Sequence, residues 1–181
     1  MLRCLISTCE DEKVALVYTN LEQTEKFSAG IISGIFDNEI ILGHFLPNGK
    51  YDGYVAKRII DIYKVEVDSK YVVKITNLSK GNTAKHDKIR RTNENGFMTL
   101  LTYAYESKNV VSIEMFESGN NDAQGFVEKI SGDFCTISLL DEYGENDGAA
   151  ILNIVNISHL SCNGDDEITL KVLYKMSRMN K

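Results

Sequence analysis

The sequence predicts a mainly β protein with flanking helices, built as two tandem five-stranded antiparallel small barrels, each with an N-terminal and a C-terminal helix. Three observations predict it. The chain matches itself when slid by 95 positions. Each half carries five short apolar runs separated by turn residues. Helix-type apolar spacing brackets those runs.

At the 95-residue offset, and without a gap, Gly30 meets Gly125, Ile35 meets Ile130 and Leu78 meets Leu173. The loop Gly49-Lys-Tyr-Asp52-Gly53 falls on Gly144-Glu-Asn-Asp147-Gly148. Twelve identities fall in the first eighty positions, where average residue usage gives roughly five by chance. The organisation that follows is a first copy over residues 1–80, a basic linker over 81–91 and a second copy over 92–181.

The second copy reads most clearly. Asn93 is placed to cap a helix with Phe97, Leu100, Leu101, Ala104 and Tyr105 on one face. Strands are expected over 110–116, 124–130 and 134–140, with turn chemistry at Ser118–Asp122 and Ser131–Asp133. A loop over 142–148 leads to two short strands, 150–154 and 156–160. A closing helix begins at Asp165 or Asp166. The first copy repeats the order, with strands centred on 14–18, 29–36, 40–46, 54–60 and 62–67. Its closing helix is expected over 68–79, and a shorter opening helix over 2–9. Gly30 and Gly125 inside the second strand mark a tight bend or a close backbone approach. Five short strands and a helix bury an apolar face by curling into a small barrel.

Val110-Val-Ser-Ile-Glu-Met, then Gly125-Phe-Val-Glu-Lys-Ile-Ser-Gly-Asp-Phe, resembles the first half of an Sm-like domain; Gly30-Ile-Ile-Ser-Gly-Ile-Phe-Asp37 fits the same pattern. The barrels would then be Sm-like or SH3-like. The tandem also resembles bacterial proteins of this two-unit architecture. Sm-like RNA binders hold a base with an Asn after the Asp turn, and use Arg-Gly or Lys-His between strands four and five. Here those places hold Glu39 or Ile40 and Phe134 or Cys135, then Ile60-Asp61-Ile62 and Val155-Asn156-Ile157. The resemblance therefore implies the fold and not the RNA function.

Composition narrows the classes further. Apolar residues make up 43% and charged residues 25% of the chain, ordinary for a globular protein. No apolar run is long enough for a membrane helix. The apolar start before Glu10-Asp-Glu is too short for a signal-peptide core, so a cytoplasmic location is expected. Cys4, Cys9, Cys135 and Cys162 show no Cys-x-x-Cys spacing, and His44, His86 and His159 are scattered, so neither a metal nor another cofactor is expected. The net charge of −6 divides into −2 over residues 1–78, +3 over 79–95 and −7 over 96–181. An acidic second half repels phosphate backbones, and only the linker has the sign to attract them.

Three candidate sites stand out. Tyr51, Tyr54, Lys57 and Arg58 interleave aromatic and basic groups, a pattern that can stack bases and neutralise phosphates, or simply make a solvated strand face. Lys85, Lys88, Arg90 and Arg91 form the linker's basic run, which reads as a phosphate or acidic-partner contact or as a solvated hinge. Gly49, Asp52 and Gly53, repeated as Gly144, Asp147 and Gly148, read first as turn chemistry. No phosphate loop, nucleophile elbow or zinc-protease motif occurs. The sequence thus predicts a non-enzymatic interaction or regulatory module that binds protein. The alternative is an RNA or single-stranded nucleic-acid binder using the Tyr/Lys/Arg face and the linker. A small-molecule sensor in the cleft between the barrels is a third reading.

Strands four and five of such barrels expose edges, and a tandem chain can satisfy one edge by pairing copy one with copy two. The closing helices, with Asp61 and Asn156, are placed to blunt the others. A monomer or small dimer is expected ahead of a ring.

Overall fold

The computed structural model describes residues 1–81 and 89–179. In chain order the first half holds α1 (Leu2–Glu10), β1 (Val14–Tyr18), β2 (Ser28–Ile35), β3 (Glu39–Phe45), β4 (Tyr51–Arg58), a 3-10 turn at Ile59–Asp61, β5 (Lys64–Glu66) and α2 (Lys70–Ser79). The second half repeats the order with α3 (Gly96–Ser107), β6 (Val110–Met115), β7 (Ala123–Ser131), β8 (Phe134–Leu140), β9 (Asn146–Asn153), a 3-10 turn at Ile154–Asn156, β10 (Ile157–Cys162) and α4 (Asp165–Met179).

The strands do not form two five-stranded barrels. They form one open antiparallel sheet in the order β5-β1-β2-β3-β4-β10-β6-β7-β8-β9. The physical reason lies at the seam. The 3-10 turn after β4 breaks the ladder, and β5 pairs back onto β1 instead. The free edge of β4 then meets β10 of the other half, with Lys57 opposite His159 and Tyr54 opposite Cys162. Each edge supplies the backbone partners the other lacks.

Strand registers repeat between the halves. Gly30 pairs with His44 as Gly125 pairs with Leu139, and Glu39 pairs with Arg58 as Phe134 pairs with Asn153. Those positions are 95 apart. The match is not gapless, however. Ala15 faces Gly30 where Val111 faces Gly125, so β1 and β6 correspond at 96. The opening helices follow the same spacing, since Lys13 N–H bonds Thr8 O as Asn109 N–H bonds Ala104 O. One residue is therefore gained in the loop between β1 and β2. Both conserved-offset glycines permit close strand approach: a Cβ would lie 2.4 Å from Gly43 O at Gly30 and 1.9 Å from Ser138 O at Gly125.

Local chemistry shifts several expected boundaries. Asn95, not Asn93, caps α3 by accepting from Met98 N–H at 2.8 Å, while Asn93 accepts from Asn95 N–H. Ser69 caps α2, so that helix starts two residues after Asp68. The expected loop before the ninth strand is half strand, because β9 begins at Asn146 opposite Leu140.

The main apolar core crosses the seam. Phe36, Ile41, Tyr54 and Ala56 of the first half pack with Phe97, Leu101, Ile157 and Leu160 of the second. α3 bridges the halves as well: the Glu39 carboxylate accepts from Gly96 N–H at 3.0 Å and from Asn95 Nδ2 at 3.2 Å. The two halves accordingly share a core, although the sequence reads as two separate units.

Candidate functional site

Two surfaces stand out, one at the seam and one at the far edge of the sheet. The first is a cavity of about 520 Å³ on the sheet face opposite α3, lined by Thr19, Lys57, Asp61, Glu114, Ser158 and His159 among others. Lys57 is buried and donates from Nζ to Thr19 Oγ1 at 3.0 Å. Burial lowers its ammonium to about 8, with Glu114 and Asp61 opposing that shift. His159, its cross-strand neighbour, is half-buried. Burial first, then Lys57 and His44, push its imidazole well below the ordinary range, so it is neutral at pH 7.

An adjoining hollow of about 180 Å³ holds His44, Asp52, Ser161 and Glu167. Burial alone would raise the Asp52 carboxyl. Hydrogen bonds from His44 Nδ1 (3.0 Å) and Asp165 N–H (2.8 Å) outweigh it and hold Asp52 below the ordinary carboxylate range. Glu167 accepts from Ser112 Oγ, Ser161 Oγ and Gly164 N–H, at 2.6, 2.7 and 2.8 Å. It closes the first turn of α4 as the back-reaching acid of a capping box. Of these bonds the one from Asp165 N–H to Asp52 crosses the seam, while His44–Asp52 lies within the first half and the Glu167 bonds lie within the second.

The second surface is the far edge of the sheet. Among the described residues, β9 pairs on one side only, with β8. Ile151 is 74% exposed, Phe134 50% exposed and Val155 exposed beside them, with Ala149 on the same strand. The positions matching Ile151 and Phe134 at the seam, Ala56 and Glu39, are buried under α3, whereas Ile60, which matches Val155, is exposed.

The sequence-predicted residues divide between faces. Successive strand residues alternate sides, so Tyr54, 1% exposed, packs beneath α3 while Lys57 turns into the cavity. Tyr51 sits in an edge-to-face ring stack with Tyr54, and Tyr54 in another with Tyr103, at centroid distances of 5.8 and 5.5 Å. Arg58 is engaged by Asp61 and Glu117. Arg91 lies over the Phe36 ring and donates to Ile35 O, and Arg90 is exposed. Lys85 and Lys88 lie outside the described residues. The four strand residues therefore form no single open platform.

The repeated turn behaves differently in its two copies. Gly49 and Gly144 press against α2 and α4 alike, at Leu78 and Leu173. Gly53, at φ +67°, leaves room for the backbone of Cys162, Asn163 and Gly164, whereas Gly148, at φ +89°, faces open space. Asp52 caps α4, and Asp147 is exposed. Sequence reasoning missed His44, Glu114, His159 and Glu167. The pairing of strands three and four would have brought His44 near Asp52, but nothing in the sequence points to the β4–β10 ladder that adds His159.

Among the described residues, no three His, Cys, Asp or Glu side chains converge as a metal-binding group, and all four cysteines are free thiols. No described helix is long and apolar enough to cross a membrane. No family model, curated protein or solved structure matches the chain.

Proposed function

We propose that this chain is a non-enzymatic interaction module that binds protein through the exposed β8–β9 face. In this reading it is a tandem duplication of one Sm-like or SH3-like unit, a reading supported by the repeated registers and by the shared order of elements. One observation carries the functional reading. An unpaired strand edge lies beside exposed Phe134, Ile151 and Val155. An incoming strand gains backbone hydrogen bonds from such an edge, and apolar side chains beside it supply further affinity. The surrounding second half is acidic, which favours protein over nucleic acid.

Affinity capture on the immobilised full chain tests this, at low and at high salt, with wild type beside Ile151→Glu. Ile151 is exposed, so the substitution removes no buried packing, and circular dichroism checks that the variant is folded. Retention of protein that survives high salt and is lost on Ile151→Glu is the expected result. Retention of RNA that salt abolishes, with no protein dependent on Ile151, would replace this reading with the nucleic-acid one.

A further inference from the structure

The cavity at the seam holds a cation and an anion that the chain does not pair. Its floor is one cross-strand row: Lys57 on β4, His159 on β10 and Glu114 on β6. The row exists only because β4 meets β10. We propose that this cavity binds a free amino acid, with the ligand's carboxylate on Lys57 and Thr19 and its ammonium on Glu114. The site is separate from the β8–β9 face and stands whether or not that face docks protein.

Lys57 is 8% exposed. Its ammonium carries three donors. One goes to Thr19 Oγ1, and among the described residues no carboxylate lies within 4.0 Å of it. A cation taken out of water without a counter-charge is costly, and a ligand carboxylate in the cavity offsets that cost. The donors suit one. Lys57 Nζ and Thr19 Oγ1 are 3.0 Å apart, and the Thr19 hydroxyl, which accepts from Lys57, keeps its own proton to donate. Two adjacent donors match the two oxygens of a carboxylate.

Glu114 is half-buried two strands away, roughly 10 Å between backbones at the usual strand spacing. Its Oε1 accepts from Gly119 N–H at 3.0 Å. Among the described residues no cation lies within 4.0 Å of its carboxylate. Asp61 and Glu117, which also line the cavity, are held by Arg58. Lys57 and Glu114 thus bound one space with opposite signs, and an amino acid carries both complements. Between them stands His159, whose ring nitrogens make no hydrogen bond to a described residue.

The same charges disfavour a phosphate. Glu22, Asp61, Glu114 and Glu117 line the cavity against two lysines, Lys26 and Lys57, so a doubly charged anion meets more repulsion than attraction. The walls are fixed by their own bonds. Asn20 Oδ1 accepts from Glu22 N–H and Gln23 N–H and folds the β1–β2 loop over one side. Ser158 Oγ accepts from Glu117 N–H at 2.9 Å and donates to Glu114 O at 3.2 Å, which pins the β6–β7 loop on the other. The volume of about 520 Å³ falls within the range of small-molecule sites, about 300–1,000 Å³.

Thermal denaturation of the full chain with each of the common amino acids, at millimolar concentration, tests the class, because a ligand that binds the folded state raises its midpoint. Isothermal calorimetry then measures affinity. At least one amino acid is expected to stabilise wild type and to bind once per chain. Glu114→Gln is expected to weaken that binding by about tenfold or more, the worth of a hydrogen bond to a charged group. Thr19→Val is expected to weaken it several-fold, and Lys57→Met to abolish it. The same acid without its amino group is expected to bind wild type more weakly, and Glu114→Gln as well as it binds wild type. Ile151→Glu, at the far edge of the sheet, is expected to bind like wild type. Circular dichroism checks that each variant is folded.

No stabilisation by any of the amino acids overturns the proposal. So does an affinity that folded Glu114→Gln and Thr19→Val leave unchanged. Inorganic phosphate, or the acid without its amino group, binding wild type as tightly as the amino acid also overturns it, because the site would then read an anion alone.

Discussion

The Asp52 carboxylate, at the start of the fourth strand, accepts a hydrogen bond at 2.8 Å from the backbone N–H of Asp165, the first residue of the last helix. A turn in the first half thereby caps a helix in the second. The cap predicts an asymmetry between repeated positions. Asp52→Ala should lower stability by about 1–2 kcal/mol, the usual worth of a helix cap. Asp147→Ala, at the exposed counterpart, should change the single chain by less than about 0.5 kcal/mol. Urea melts of the two variants beside wild type measure the difference.

The neighbouring glycines separate in the same way. A Cβ at Gly53 would lie 2.3 Å from Cys162 O, and φ there is +67°. Gly53→Ala must push the halves apart at the seam. Gly148→Ala meets open space and carries only the backbone penalty, about 1 kcal/mol. Thermal denaturation should show Gly53→Ala several degrees below Gly148→Ala, at about 2–4 °C per kcal/mol for a chain of this size.

Glu39 links β3 to α3 by accepting from Gly96 N–H and Asn95 Nδ2. Burial raises its carboxyl above the ordinary value, against the opposing backbone bonds. Glu39→Ala leaves a buried N–H without its partner, which costs about 1–3 kcal/mol. Amide hydrogen exchange should report faster opening of the first turn of α3, with β1 and β2 little affected.

The buried Lys57 gives a pH dependence whose sign follows from its lowered folded value of about 8, against 10.5 when unfolded. Between those values the unfolded chain holds a proton that the folded chain has released, so stability rises with pH through that window. The rise is at most about 3 kcal/mol. Lys57→Met removes the charge and should remove that slope. Urea midpoints of wild type minus Lys57→Met, taken from pH 7 to about 10.5, isolate it from the other alkaline groups. A difference flat in pH would show that Lys57 is not desolvated as its burial implies.

His159 works at the other end. Its folded imidazole stays neutral well below the ordinary 6.5, so the unfolded chain binds a proton first as pH falls. Stability should drop below about pH 6.5 with the slope of one proton, and His159→Gln should lose that part of the slope. Paired acid titrations followed by near-ultraviolet dichroism read it.

The sequence by itself determined the elements and their order. Apolar alternation in 110–116 and 134–140, turn residues at Ser131–Asp133 and the helical stripe from Phe97 to Ala104 are local signals, decided by residues close in the chain. The repeat was legible too, to within the one-residue step after β1. What only the tertiary structure decided is where the edges go. A strand's sequence does not say which partner lies across its open side, because backbone N–H and C=O groups are alike in every residue. Whether β4 closes a barrel or meets β10 depends on the 3-10 turn at Ile59–Asp61 and on α3 covering Tyr54 and Ala56. For the same reason Asp52 and Asp147 read identically in sequence, and only the docking of Gly164–Asp165 makes one a helix cap and leaves the other facing outward.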